Sequence, residues 1–341
     1  MTPLIEALER LAGGHDLSAT LAYAAVDMIM EGQASDVAIA ALLTALHIKG
    51  EEADELAGAV SAVRSRMVVW EGQFPPLLDT CGTGGDGARS VNVSTATALV
   101  VAACGVPVAK HGNRSASGNS GSAEVLAELG VAYDAAPAVA AQCLHELGIT
   151  FLFAPLYHPA MRYAAPVRKQ LPFRTLFNMI GPLANPARPD YQLLGVASRR
   201  QADLMAEALS QLGIRRAAVV TGADGLDEVT LGGPTHVRWV EQGKVAFDVW
   251  EPASFGLPRV SAVDLHVSGP TESAERLKRF FEGERGPVRD VVLANAAAAL
   301  LVAGQVEDLR SGVRRAEEAL DSGAASQLLT RWASLSRTKE G

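Results

Sequence analysis

With 341 residues, 48% of them hydrophobic and 20% charged, the chain holds more material than a single core usually organises, and two structural units are expected. A formal net charge of −8 excludes a surface that attracts a polyanion as a whole, so phosphate binding has to come from local loops and metal ions. Aromatic residues are only 5%, which suits helices packed tightly on a sheet better than a base-stacking nucleic-acid binder.

Residues 1 to about 70 read as four helices. Thr2 as N-cap with Pro3 at the first helical position opens the first, and Gly13-Gly14 stops it. The second places Leu17, Leu21, Ala24, Ala25, Met28 and Ile29 on one face. The third starts at Ser35-Asp36 and ends near Gly50, and the fourth runs from about Glu51 to Met67, acidic at its start and basic at its end as the helix dipole favours. Glu51-Glu52 is read as helix capping rather than as a catalytic carboxylate pair.

After Trp70, a linker with Gly72, Pro75 and Pro76 leads into alternating elements. Strands are expected at Leu77–Thr80, Val106–Ala109, Thr150–Phe153, Gln192–Val196 and Ala217–Thr221, with helices at about Ser94–Cys104, Gly121–Leu129, Ala138–Leu147 and Arg199–Leu212. This rhythm predicts a largely parallel sheet covered on both faces. A hairpin follows at Thr235–Val240 and Lys244–Trp250, turned at Gln242-Gly243, and the C-terminal 70 residues are helical. The segment 157–186 breaks the rhythm with two short helical pieces among prolines, an insertion able to return to the N-terminal helices and help form a cleft.

Cys81, Cys104 and Cys143 contain no C-x-x-C pair, so neither a disulfide framework nor a zinc knuckle is expected. The start has no basic region followed by an apolar run, and the longest apolar stretches are too short for a membrane span. A soluble, reducing, cytoplasmic setting is the expectation.

Three segments carry chemistry. Asp79-Thr80-Cys81-Gly82-Thr83-Gly84-Gly85-Asp86-Gly87 leaves the first strand, and its glycines let backbone N–H groups approach one anion. Gly82, Gly84 and Gly87 also satisfy G-x-G-x-x-G, but the second strand ends in Lys110 where a dinucleotide site wants a carboxylate. Asn92-Val93-Ser94-Thr95 adds an amide and two hydroxyls where a helix begins, with Ser94 as a candidate cap. The second segment, Lys110 to Ser122, is a polar loop at a strand's C-terminal end, where open α/β sheets bind ligands. The third is the turn Gly225-Leu226-Asp227-Glu228, whose paired carboxylates suit Mg²⁺, although an isolated Asp-Glu read alone is usually a solvated turn.

Taken in order, GTGGD at 82–86, NVST at 92–95, KHGNRSASGNSGSAEVLAELG at 110–130, FLFAPLYHPAMRYAAPVRKQL at 151–171, RTLFNMIGPLANP at 174–186 and GLDEV at 225–229 resemble the anthranilate phosphoribosyltransferases over nearly the whole chain. The resemblance implies a nucleoside phosphorylase-like α/β fold. A mostly parallel central sheet flanked by helices would form the large domain (71–164 and 186–341). A small all-α domain would take 1–70, with 165–185 returning to it. It also implies a substrate cleft between the two and a homodimer through the small domain. The implied reaction transfers the phosphoribosyl group of 5-phosphoribosyl 1-pyrophosphate (PRPP) to the amine of anthranilate, releasing pyrophosphate, in tryptophan biosynthesis.

By the same resemblance Gly82, Thr83, Gly84, Gly85, Asp86, Ser90, Asn92, Ser94, Thr95, Lys110 and Ser122 match PRPP-contacting positions. Gly82, His111, Asn113, Arg168, Gly181 and Pro182 match positions that hold anthranilate or line its access path, and Ser94, Asp227 and Glu228 match the ligands of two Mg²⁺ ions. Lys110 and Arg168 are the expected contributors to catalysis, which would rest on positioning and electrostatics without a covalent intermediate. Two departures are visible. Asn119 stands where relatives commonly carry Lys or Arg, and Leu171-Pro172-Phe173-Arg174 replaces Leu-Gly-x-Arg. The alternatives are a pyrimidine nucleoside phosphorylase-like enzyme, which would show a Ser-Gly-Arg-Gly stretch where Lys110-His111-Gly112-Asn113 stands, and a non-catalytic nucleic-acid-binding paralogue, which would show a basic cleft.

Overall fold

The computed structural model describes all residues except 71, 73, 86, 115–119 and 339–341. Asp86 and Asn119, both singled out from the sequence, therefore lie outside the described residues. Four helices open the chain: α1 (Pro3–Ala12), α2 (Ala19–Met30), α3 (Asp36–Lys49) and α4 (Ala53–Ser65). Thr2, Ser18 and Ser35 accept from the backbone N–H three residues on, and Glu52 opens α4 through a reciprocal box with Glu55. The buried face of α2 differs from the expected one: Ala22, Ala25, Val26, Ile29 and Met30 are buried, while Leu21, Ala24 and Met28 are half-buried. The cause is a close approach of α4, where a β-carbon on Gly58 would stand 2.2 Å from the Ala19 carbonyl oxygen. A seam of small residues, rather than the bulkiest side chains, sets that face.

The alternating region runs β1 (Leu78–Asp79), α5 (Val93–Ala103), β2 (Val108–Gly112), α6 (Ser122–Glu128), α7 (Pro137–Leu147), β3 (Ile149–Phe153), α8 (Ala154–Tyr157), a 3₁₀ turn at Pro159–Tyr163, α9 (Ala165–Gln170), α10 (Phe177–Leu183), β4 (Tyr191–Gly195), α11 (Arg199–Gln211) and β5 (Arg216–Gly222). The hairpin β6 (Thr235–Glu241) and β7 (Lys244–Trp250) follows, then α12 (Pro252–Phe255), α13 (Pro270–Phe281), α14 (Pro287–Val302), α15 (Leu309–Asp321) and α16 (Ala324–Leu335). Gln242 and Gly243 both have positive φ, the two-residue turn that matches strand twist.

Among the described residues seven strands lie in the order β3-β2-β1-β4-β5-β6-β7, parallel from β3 to β5 and antiparallel through the hairpin. Leu193, Ala218 and Val220 face one core, shared with α5 and α13–α16. Their neighbours Leu194, Ala217 and Val219 face a second core, which takes in α1–α4, Val167 of α9, Phe177 and Ile180 of α10, and α11. Burial on both faces is why these strands read as continuous apolar runs.

β2 begins and ends later than expected, so Lys110, His111 and Gly112 belong to the strand and not to the polar loop. The reason is pairing: Lys110, His111 and Gly112 are in register with Phe151, Leu152 and Phe153 of β3. Strand geometry then sends Lys110 and His111 to opposite faces of the sheet.

Candidate active site

β1 lies between β2 and β4: the chain builds outward from β1 through β2 to β3, then crosses back to add β4 on the other side of β1. That makes the β1–β4 junction a topological switch point, the place where open α/β sheets bind ligands beyond the carboxyl ends of their strands. The glycine loop starts there. Thr83 N–H donates to the Gly195 carbonyl at the end of β4, 2.9 Å away, and Gly84, Gly85 and Gly87 all take positive φ. The Asp227 turn closes over the same spot. A β-carbon on Gly195 would stand 1.6 Å from the Asp227 carbonyl oxygen, and one on Gly82 would stand 3.3 Å from Asp227 Oδ2. Asp227 and Glu228 are half-buried. Their charges, with that of Asp79, add to burial in pushing the Cys81 thiol up to about 12.

Asn92, not Ser94, caps α5: its Oδ1 accepts from Thr95 N–H, and its Nδ2 donates to the Ser120 carbonyl. That frees Ser94 from the capping role, and its hydroxyl accepts from Lys110 Nζ at 3.1 Å. Lys110 also donates to the Thr80 carbonyl at 3.1 Å and is 2% exposed, so it lies beneath the loops rather than on the crevice wall. Thr95 is buried. Ser90 is half-buried and bridges to His266. Ser122 Oγ donates to the Asn113 carbonyl at 3.4 Å, joining the two ends of the second loop.

On the other face of β2, His111 Nδ1 lies 2.9 Å from the Gly181 carbonyl. Burial, helped by the neighbouring His158, holds the His111 pKa down to about 3, so the ring is neutral and donates Nδ1–H to that carbonyl. Gly181 is exposed, while Pro182 is buried with its carbonyl accepting from Gln192 Nε2. Arg168, on α9, has its guanidinium over the Phe177 ring at 5.6 Å and forms no ion pair among the described residues. Burial lowers its pKa, the mark of a cation that has lost solvent without gaining a partner.

Three further residues stand out in the structure and not in the sequence reading. Asp79 is buried, accepting from His111 N–H at 3.3 Å and from Asn185 Nδ2 at 2.8 Å. Burial raises its pKa to about 6 against the lowering effects of Lys110 and these hydrogen bonds. Asn185 also donates to the Ala109 carbonyl, fastening the chain after α10 to the sheet. Arg174 donates to the carbonyls of Gly84 and Thr83. A carboxylate ending an otherwise apolar strand is the available signal for Asp79; Arg174 is visible in the sequence only as the last residue of Leu171-Pro172-Phe173-Arg174, with no role attached, and nothing local marks Asn185.

Among the described residues no helix is long and apolar enough to cross a membrane. Residues 5–67 match the family described as "Glycosyl transferase family, helical bundle domain" and residues 74–326 match "Glycosyl transferase family, a/b domain". The chain is 49% identical over 328 residues to the anthranilate phosphoribosyltransferase of Thermomicrobium roseum, covering 95% of this chain and 94% of that protein. It is 46% identical to that of Moorella thermoacetica, covering 94% and 95%. Among solved structures, the Thermus thermophilus enzyme superposes with a TM-score of 0.90 at 42% identity, covering 97% of this chain and 99% of that one. The Saccharomyces cerevisiae enzyme, solved in complex with PRPP and Mg, superposes at 0.89 and 28% identity, covering 98% and 97%. Similarity of this extent, on the same helical-bundle and α/β parts, makes the chain a member of the anthranilate phosphoribosyltransferase family.

Proposed function

We propose that the crevice at the switch point binds PRPP and Mg²⁺, and that the chain transfers the phosphoribosyl group to the amine of anthranilate with release of pyrophosphate, a step of tryptophan biosynthesis. The observation that carries this reading is the convergence of Gly82, Gly195 and Asp227: an anion-receptive glycine loop and a carboxylate turn share one crevice. The yeast relative was solved with PRPP and Mg and, separately, with 4-fluoroanthranilate.

Gly82, Thr83, Gly84 and Gly85, with Asp86 by its place in the motif, form the floor beneath the pyrophosphate, and Ser90, Asn92 and Ser122 surround the remaining phosphate oxygens, with Thr95 buried behind them in the first turn of α5. Asp227, Glu228 and Ser94 would hold Mg²⁺, two ions per subunit. The donor set fits: these are hard oxygens, and Mg²⁺ takes one or two carboxylates while keeping phosphate oxygens and waters. When bound, Mg²⁺ supplies positive charge to the leaving pyrophosphate. Lys110 acts through Ser94 and Thr80, whose oxygens it fixes from below.

Arg168 presents a planar fork, already desolvated, to the anthranilate carboxylate. Asn113 and Gly82 complete that subsite, while neutral His111 with Gly181 and Pro182 shapes the path to it without adding charge. The anthranilate amine is neutral at physiological pH and needs no base before attack, so positioning and electrostatics carry the reaction.

We also read residues 1–70 with 165–185 as one unit that dimerises. Val37, Ala41 and Ile48 form an exposed stripe along α3, with Val37 and Ile48 each 79% exposed. The cytoplasm is the proposed location. The test of the reaction is loss of anthranilate fluorescence in the presence of Mg²⁺ and PRPP. A phosphorylase-like enzyme would instead cleave a pyrimidine nucleoside with inorganic phosphate and leave anthranilate untouched.

A further inference from the structure

Arg174 sits in the link between α9, which carries Arg168, and α10, which carries Gly181 and Pro182. Its Nη1 donates to the Gly84 carbonyl at 2.6 Å and its Nη2 to the Thr83 carbonyl at 3.1 Å. Gly85, at φ +79°, leaves that space to the guanidinium, since a β-carbon there would stand 1.6 Å from Nη1. The preceding residue is anchored as well: the Phe173 ring stacks on His47 of α3 with centroids 4.4 Å apart and planes 14° apart. A cation from the helical insertion is therefore held in a fixed fork against the backbone of the glycine loop.

Peptide planarity gives this fork a consequence. In a trans peptide unit the C=O and N–H point in opposite directions, and the chain contains no cis peptide among the described residues. The Thr83 carbonyl shares its unit with Gly84 N–H, and the Gly84 carbonyl shares its unit with Gly85 N–H. Drawing both carbonyls to one guanidinium turns both N–H groups to the far side. Successive N–H groups on one side make an anion-binding concavity.

We propose that Arg174 is a positioning residue that holds the Thr83–Gly85 backbone with the N–H groups of Gly84 and Gly85 presented to the pyrophosphate of the substrate. The proposal rests on the reading of the glycine loop given above. The fork is essential to it, since a point charge on a flexible stem cannot hold two carbonyls in one plane.

The test uses the full-length protein with Mg²⁺ and inorganic pyrophosphate as the calorimetric probe, with steady-state kinetics and thermal unfolding alongside. Arg174→Ala should weaken pyrophosphate binding about tenfold or more and raise the PRPP KM by a similar factor, while kcat changes by less than about threefold. Arg174→Lys, which keeps the charge and loses the fork, should recover only a minor part. Unchanged pyrophosphate affinity in Arg174→Ala would overturn the proposal, as would full recovery in Arg174→Lys. If Arg174→Ala unfolds, Arg174→Lys decides alone: wild-type affinity in a folded lysine variant counts against the fork. Failure of the wild-type protein to bind pyrophosphate removes the site reading and this role together, whereas wild-type binding with unaffected variants removes only the role.

Discussion

Lys110 Nζ donates to Ser94 Oγ at 3.1 Å from within the sheet, beneath the loops that its position in the sequence suggests it would line. The same ammonium serves the Thr80 carbonyl and lies close enough to Asp79 to favour that residue's charged form. Lys110→Met keeps the packing of the stem and removes these donors and the buried cation. The expected cost is about 2–4 kcal/mol of folding stability and roughly a hundredfold in kcat. Denaturant unfolding and kinetics measured on the same preparation check both; a stable, fully active variant would show that Ser94 needs no anchoring.

Arg168 separates the two substrates. Arg168→Ala should raise the anthranilate KM by about a hundredfold and leave the PRPP KM within about threefold, because a charge-assisted bidentate contact is lost on one side only. Arg168→Lys should remain impaired. Equal rises in both KM values would make Arg168 a structural residue of α9.

Acid sensitivity follows from three buried groups. His111 and His158 have pKa values lowered by burial to about 3 and about 4, so as pH falls below roughly 6.5 the unfolded chain takes up protons that the folded chain refuses, and stability drops. Asp79, raised to about 6, has the opposite sign: between roughly pH 4 and 6 the folded state holds a proton that the unfolded state gives up. Two histidines against one carboxyl leave a net loss of up to about 1.4 kcal/mol per pH unit in that window. His158→Gln should flatten the curve between roughly pH 4 and 6. An acid limb as steep as the wild type's would show that His158 titrates normally.

The carboxylate turn depends on the absence of a side chain at Gly195, where a β-carbon would meet the Asp227 carbonyl oxygen at 1.6 Å. Gly195→Ala should therefore displace Asp227 and raise the Mg²⁺ concentration needed for half-maximal activity by about tenfold or more, as should Asp227→Asn. A metal titration unchanged in both variants would exclude the turn from metal binding.

Much of the fold is legible because periodicity reports burial directly. The four opening helices carry capping residues where the structure uses them, and the strands of the parallel part are apolar on both faces. The α2 face departs from its pattern because a glycine-lined seam, invisible to hydrophobic counting, sets its packing. Lys110 and His111 read as loop because polar residues rarely enter a buried strand. They are held there by pairing to β3 and by partners distant in sequence: Ser94 and Thr80 for one, Gly181 for the other. Asn185 and Arg174 are hidden for the same reason, since their roles lie in carbonyls at positions 109, 83 and 84. Glycine loops and paired acids are visible as motifs, whereas the buried residues that aim them are visible only once the chain has folded.

The most direct test of the reaction is to quantify pyrophosphate and anthranilate together in one mixture of protein, Mg²⁺ and PRPP. One pyrophosphate should appear for each anthranilate consumed, with neither change when anthranilate or Mg²⁺ is omitted. Pyrophosphate release at the same rate without anthranilate, or no anthranilate loss at micromolar protein, would contradict the transfer reaction.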